Sequence, residues 1–113
     1  MSQAYRVEQV KEQIQKCVEK GFKFLDQSAK DSLYWHLEND FKISKEIVAE
    51  KPVEFVTALH QIFGQGAILF ERKITSEIAR SFALSTEETD FARVVKLALK
   101  KVEIWEEERN WKN

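Results

Sequence analysis

Apolar side chains recur along this chain at intervals of three or four residues, and strict alternation of apolar and polar residues is almost absent. Intervals of three and four place side chains on one face of an α-helix, whereas a half-buried strand needs an interval of two. The clearest stripe consists of Phe91, Val95, Ala98, Val102 and Trp105. The pattern predicts an all-α fold: a single domain over residues 1–113, built as a bundle of five or six helices with a long C-terminal helix.

Two helices are predicted in the first third of the chain. The stripe of the first helix consists of Val7, Val10, Ile14 and Cys17. A break near Gly21 is favoured, because a glycine inside a helix costs about 1 kcal/mol relative to alanine. Ser28, followed three residues later by Asp31, resembles a capping box, in which the two side chains bond to backbone N–H groups at a helix start. The second helix is therefore expected to begin at Ser28.

Pro52, Gly64 and Gly66 divide the middle of the chain. Proline suits the first position of a helix, where its missing N–H has no partner to lose, so a helix is expected from Pro52. Gly64 is expected to end that helix as a left-handed C-cap, and Gly66 to allow close packing at the start of the next one. Together they predict a corner between two helices, the second of which runs to about Ala83.

The last helix is expected to begin just after Ser85. Ser85 and Glu88 form the clearest capping box in the sequence, which places the helix from Thr86 to about Trp111. A helix of about 26 residues is roughly 39 Å long, comparable with the diameter of a compact globule of this size. We therefore expect its end to project beyond the core.

The balance of charges argues against several classes of protein. The chain has 18 Lys and Arg and 19 Asp and Glu, whereas domains that bind nucleic acid usually carry a marked basic excess. No uninterrupted apolar run approaches the roughly 20 residues needed to cross a bilayer, and a secretory signal is absent. The single cysteine, Cys17, cannot form an internal disulfide. We expect a cytoplasmic protein with no membrane partner and no nucleic-acid partner.

The sequence gives little support for a catalytic site or a metal site. The positions three before His36 and His60 are Leu33 and Thr57, so the Glu-x-x-His spacing of helical metal sites is missing. Cys17 lies on an apolar stripe, where a thiol usually behaves as a small buried hydrophobe. No Gly-x-Ser-x-Gly elbow occurs. The sequence therefore predicts no catalytic residue, no metal, no cofactor and no enzymatic activity.

An anion site is the first alternative function. Gly64, Gln65 and Gly66 precede a helix, whose first N–H groups attract anions, and Arg72 and Lys73 follow about one turn further on. The signal lacks the strand and the Lys-Ser/Thr pair of a P-loop. A plain helix corner explains the same residues, so both interpretations stay open, with the corner favoured.

A DNA-binding helix-turn-helix is the second and weaker alternative. The segment from Ile43 to Val48 resembles the start of such a unit. Pro52 interrupts the segment where a recognition helix is needed, and Lys51 is the single Lys or Arg between Lys45 and Arg72. A recognition helix this poor in basic side chains has little with which to hold phosphates.

Aromatic residues outside the main stripes point toward a protein interface. Tyr34 and Trp35 lie beside the apolar face of the second helix, Trp105 lies on the stripe of the last helix, and Trp111 lies in its charged tail. Indole and phenol rings are enriched in interfaces, although they also serve as lids over a core. Both roles stay open. The favoured hypothesis is a non-enzymatic helical interaction module that binds a protein partner or forms a homodimer.

Two segments carry a family resemblance. Pro52-Val-Glu-Phe-Val-x-x-Leu and Ile62-Phe-Gly-Gln-Gly-Ala, followed by the acidic Glu71, occur in the middle of the chain, between about residues 43 and 82. In these segments the chain resembles a small archaeal all-helical family that is described as an output domain of signalling proteins in ammonia-oxidising archaea. The resemblance implies a helical fold and a signalling or regulatory role in an archaeal cell. It implies no activity, cofactor or catalytic residue.

Overall fold

The computed structural model describes the backbone of residues 3–112 and the side chains of residues 6–107. Every regular element in this part of the chain is helical, which confirms the all-α prediction. The α-helices are α1 (Gln3–Gly21), α2 (Gln27–Phe41), α3 (Pro52–Phe63), α4 (Ala67–Ser81) and α5 (Phe91–Lys112), and short 3-10 turns lie at Lys45–Ile47 and Gly64–Gly66.

The number and length of the helical segments differ from the prediction. Helical residues run without a loop from Pro52 to Ser81, because the turn at Gly64–Gly66 joins α3 directly to α4. Counted in this way, the described chain has four helical segments instead of five or six separate helices. The last helix, α5, has 22 residues, because it begins five residues later than Thr86.

The core is built around three phenylalanines from different parts of the chain. Phe22 follows α1, Phe55 belongs to α3 and Phe91 is the first residue of α5, and none of them has solvent-exposed surface. The ring of Phe55 lies 6.5 Å from that of Phe22 and 5.2 Å from that of Phe91, measured between centroids. Burying a phenylalanine side chain contributes roughly 1.5–3 kcal/mol, so this row ties three helical segments together.

Helix α1 packs most extensively on α4, and the contact is close. A Cβ atom placed on Gly21 would overlap Cγ1 of Ile74, a core residue of α4. Near the other end of α4, Ser81 Oγ lies 3.4 Å from Cys17 Sγ and accepts a hydrogen bond of 3.2 Å from Gln13 Nε2. The glycine at position 21, which ends α1, thus allows the two helices to approach.

Helix α2 begins one residue earlier than Ser28, because a different residue caps it. Asp26 has extended backbone angles, and its Oδ1 accepts a 2.8 Å hydrogen bond from the backbone N–H of Ala29. The predicted capping box of Ser28 and Asp31 is therefore wrong. Asp31 instead accepts a 2.8 Å hydrogen bond from Gln27 Nε2. Both Asp and Ser are good N-cap residues, and the earlier of the two takes the position.

The predicted capping box of Ser85 and Glu88 is also wrong. Residues 84–90 are not helical. The Oε2 atom of Glu88 accepts hydrogen bonds from the backbone N–H groups of Thr89 (3.2 Å) and Asp90 (3.3 Å), which stabilise a turn. Such local bonds between side chains and the backbone compete with helix formation, and they delay the start of α5.

One helical segment meets the length and composition expected of a membrane span. It is Pro52–Ser81, and 28% of its most apolar window of 18 residues is buried inside the protein. The turn at Gly64–Gly66 interrupts it. Core helices of soluble proteins have similar composition, so this property alone does not assign the segment to a bilayer.

Candidate functional site

An open groove separates the N-terminal half of α1 from the C-terminal half of α5. Its volume is about 360 Å³. The apolar side chains in its lining are Val7, Val10, Leu99 and Val102, and the charged ones are Arg6, Glu103, Glu106 and Glu107. Arg6 Nε pairs with Glu106 Oε1 at 2.5 Å. The groove therefore has an apolar floor and a rim on which carboxylates outnumber cations.

The outer face of α5 carries a second apolar stripe. Leu97 is 39% exposed and Ile104 is 42% exposed. The two residues are seven positions apart, so they lie two helical turns from each other on the same face. Trp105, which is 44% exposed, borders this stripe. A seven-residue spacing of apolar side chains on an exposed flank matches the seam between two packed helices.

Charges along α5 are sorted by sign. The cations lie in its first half and the carboxylates in the described part of its second half: Arg93, Lys96, Lys100 and Lys101, then Glu103, Glu106 and Glu107. A helix with this pattern complements an antiparallel copy of itself. Each half then faces the opposite charge.

The predicted interface aromatics occupy different surroundings. Trp35 on α2 is 57% exposed, and Trp105 is exposed next to Lys101, whose Nζ lies 5.8 Å from the ring centroid. Trp105 continues the stripe of α5, and it is exposed because the groove lined by Arg6 is open beside it. The side chain of Trp111 lies outside the described part of the structure.

Tyr34 covers the core instead of standing in solvent. Its ring is half-buried and packs edge-on against Phe22 at 6.2 Å, while Lys45 Nζ lies 4.5 Å from the ring centroid on the other side. Burial and, to a lesser extent, the nearby carboxylate of Glu19 raise the pKa of Tyr34 to about 12. Of the aromatics singled out from the sequence, Trp35 and Trp105 have the exposure that a partner needs.

The turn at Gly64–Gly66 already uses some of its backbone donors. The N–H group of Gly64 bonds to the carbonyl of His60, and the N–H group of Ala67 bonds to the carbonyls of Gln65 and Gly64. Gly64 has φ 60° and ψ −134°. The positive φ predicted for Gly64 is thus correct, but its ψ lies outside the left-handed helical region.

Arg72 and Lys73 line a depression between α1 and α4. Its volume is about 350 Å³, and its lining residues are Lys20, Arg72, Lys73, Ser76, Glu77 and Arg80. The glycine turn is not part of this lining. The structure therefore groups the two basic residues with Lys20 and Arg80 and does not group them with Gly64, Gln65 and Gly66.

Glu71 has a role that the sequence did not reveal. Its Oε2 accepts a 2.9 Å hydrogen bond from the backbone N–H of Phe91, the first residue of α5, and its Oε1 lies 4.0 Å from His60 Nε2. Asp90 caps the same helix start by accepting a 3.0 Å bond from the N–H of Arg93. The carboxylate of Glu71 on α4 thus contacts α3 through His60 and α5 through Phe91, which lies 20 residues later in the sequence.

Cys17 and the histidines make simple contacts. Cys17 is fully buried, and burial raises the pKa of its thiol. His36 Nδ1 contacts Asp40 Oδ2 at 2.7 Å. Among the residues whose side chains the structure describes, no group of three His, Cys, Asp or Glu is arranged to hold a metal ion.

Comparisons of the chain with protein-family models, with curated proteins and with solved structures found no match.

Proposed function

We propose that this protein is a non-enzymatic helical interaction module that forms a homodimer through the outer face of α5. The observation that carries the proposal is the exposed pair of Leu97 and Ile104, which share one flank of a helix whose neighbouring face is buried in the core. A regulatory or signalling role in an archaeal cytoplasm is part of the proposal. It rests on the resemblance of residues 52–67 to the archaeal family described above.

The positions of Leu97 and Ile104 along α5 support a two-fold antiparallel contact between two copies of this helix. When two copies of α5 cross in opposite directions, Leu97 of one copy faces Ile104 of the other, and the second pair follows by symmetry. Trp105 then covers the edge of the contact. Two-fold interfaces of this kind, in which each copy uses the same surface, are the commonest in soluble oligomers.

The sorted charges of α5 support the same orientation. In the antiparallel pair that places Leu97 opposite Ile104, Arg93 and Lys96 approach the carboxylates of Glu106 and Glu107 of the second copy, while Lys100 and Lys101 lie near the two-fold axis. Complementary charges at the edge of an apolar seam select the partner and its direction. A parallel pair would place like charges together along the whole helix.

Mass measurement with interface variants tests the proposal. Light scattering on a sizing column should give twice the 13.3 kDa chain mass for the unaltered protein. Leu97→Asp and Ile104→Asp should each give a monomer, because a carboxylate would have to be buried in the seam. Val53→Asp is the matched control: it places the same charge on a side chain that is 62% exposed on α3.

Two results would contradict the homodimer. A monomeric mass for the unaltered protein at the highest attainable concentration rules out self-association. A dimer that survives both α5 substitutions and is lost in Val53→Asp assigns the interface to a different face. Circular dichroism of each variant shows whether the helical fold is retained.

Anion sensing is the second candidate function. Arg72 and Lys73 are exposed and share a depression with Lys20 and Arg80, which favours a phosphate-like ligand. Inorganic phosphate at 100 times its dissociation constant should stabilise the fold by about 2.7 kcal/mol. A thermal-shift titration measures this, and an unchanged melting temperature at high phosphate excludes the candidate.

A further inference from the structure

We propose that the face formed by α1, the turn after α1, the first turn of α2 and α4 docks on an anionic membrane surface, with Phe24 and Leu69 entering the interface. This docking face is defined by its exposed apolar side chains and by the cations around them. The apolar members are Phe24, Ile68 and Leu69, which are 59%, 44% and 62% exposed.

Cations dominate the docking face. Two neighbouring depressions share Lys20, and their charged lining residues are Lys16, Lys20, Lys23, Lys30, Arg72, Lys73, Arg80, Glu19 and Glu77. Seven of these nine side chains are basic, whereas the whole chain has a net charge of −1. The excess of basic side chains is confined to this face, so it attracts an anionic partner that binds there.

Each exposed apolar side chain of α4 is followed, one turn later, by a cation. Ile68 precedes Arg72 and Leu69 precedes Lys73 by four residues. Phe24 stacks on Phe70 at 5.2 Å, and Lys73 Nζ lies 5.2 Å from the Phe24 ring centroid. Apolar side chains beside lysine and arginine are the composition of surfaces that lie in the headgroup region of a bilayer.

A bilayer suits this face better than a folded acidic partner. Phe24, Ile68 and Leu69 are not part of the lining of the two depressions. A rigid protein would need matching pockets for apolar side chains that stand on the surface. A fluid bilayer admits such side chains without a pocket, and its headgroup phosphates fit the depression around Lys20.

The sequence led to the expectation of no membrane partner because it lacks an uninterrupted run long enough to cross. Docking on one leaflet needs no such run.

Vesicle co-sedimentation of the full chain tests the docking face. We expect binding to phosphatidylcholine vesicles that contain about a third phosphatidylserine, and little binding to phosphatidylcholine alone. Binding should weaken steeply with salt, because exposed charges are screened within about 10 Å at 0.1 M ionic strength. Equal binding to both vesicles, or no binding at low salt, overturns the proposal.

Charge-matched variants locate the contact. Each cation near an anionic leaflet contributes roughly fivefold in affinity, so Lys20→Gln, Arg72→Gln and Lys73→Gln together should weaken binding about 100-fold. The control combines Lys42→Gln, Lys45→Gln and Lys51→Gln, which remove the same charge from exposed positions between α2 and α3. An equal loss in the control overturns the assignment to this face.

An apolar variant separates insertion from simple attraction of charges. Phe24→Ala with Leu69→Ala should weaken vesicle binding at least about tenfold, whereas Val53→Ala should leave it unchanged. If vesicle binding is unchanged in the variant that combines Phe24→Ala with Leu69→Ala, the insertion of these side chains is overturned. Stabilisation by inorganic phosphate without vesicle binding would assign the cations to a free anion and overturn the membrane proposal.

Discussion

Helix α1 meets α4 and α5 in different ways. Against α4 it is close enough that Gly21 has no room for a Cβ beside Ile74. Against α5 it leaves the groove of about 360 Å³, in which Val7 is 37% exposed. The close contact has buried its apolar surface within the chain, while the open one leaves apolar surface exposed to solvent. The difference distinguishes a contact that holds the fold from one that contributes less to it.

The largest expected effect is a difference in the free energy of unfolding between substitutions of a buried and an exposed isoleucine. Ile74→Ala should lower the free energy of unfolding by about 2–5 kcal/mol, because it leaves a cavity in the α1–α4 contact. Ile104→Ala, at a side chain that is 42% exposed, should change it by about 0.5 kcal/mol or less. Urea denaturation at low protein concentration measures both. Equal losses would mean that the two contacts are equally important to the fold.

Adding a methyl group tests how close α1 and α4 are. Gly21→Ala should destabilise the fold by about 1–3 kcal/mol through overpacking, despite the better helix propensity of alanine. Gly66→Ala is the control, since the nearest atom to its Cβ would be Phe63 Cβ at 3.9 Å. It should be neutral or stabilise the fold by up to about 1 kcal/mol.

A double-mutant cycle gives the sharper form of this test. In the Ile74→Ala background the methyl group of Gly21→Ala has space, so its cost should fall by at least about 1 kcal/mol. Additive effects would show that Gly21 and Ile74 are not in the close contact described.

A smaller effect is expected where α4 meets α5. Glu71→Gln keeps an oxygen acceptor for the N–H of Phe91 but removes the negative charge at a helix start, so it should cost about 0.3–1 kcal/mol. Glu71→Ala should cost about 0.5–2 kcal/mol, because it also removes the cap. Denaturation curves measure both, with Glu12→Gln, at an exposed position in the middle of α1, as the control. A larger loss for Gln than for Ala would contradict this assignment.

Thiol labelling probes the close contact without altering it. Burial raises the pKa of Cys17, so at pH 8 less thiolate is present than in a free cysteine, and the group is covered by protein. Labelling should proceed through opened molecules and be slow. Ile104→Cys in a Cys17→Ser background should react rapidly, because that position is exposed. Rapid labelling of native Cys17 would contradict the close contact.

The local pattern of the sequence predicts much of the helical structure. Val10, Ile14 and Cys17 are buried as their spacing predicts, and α3 begins at Pro52. Residues with intrinsic preferences, such as proline at a first helical position, act through neighbours only a few positions away. Those neighbours are visible in the sequence.

Helix boundaries and surface roles were harder to predict, since distant residues decide them. The start of α5 depends on Glu71, which is 20 positions away from Phe91, and no local pattern identifies that bond. Trp105 lies on a regular stripe, yet it is exposed because α1 leaves the groove open beside it. The spacing of Leu97 and Ile104 was present in the sequence, but it gains meaning only when the neighbouring face of α5 is known to be buried.

The cap that Glu71 supplies has a consequence for how this chain can vary. Because Glu71 of α4 bonds to the first turn of α5 from outside and Asp90 caps the same turn, residues 84–87 of the connection are not needed to set where that helix begins. Related chains can therefore lengthen or shorten this connection and keep the register of α5, provided that position 71 retains a carboxylate.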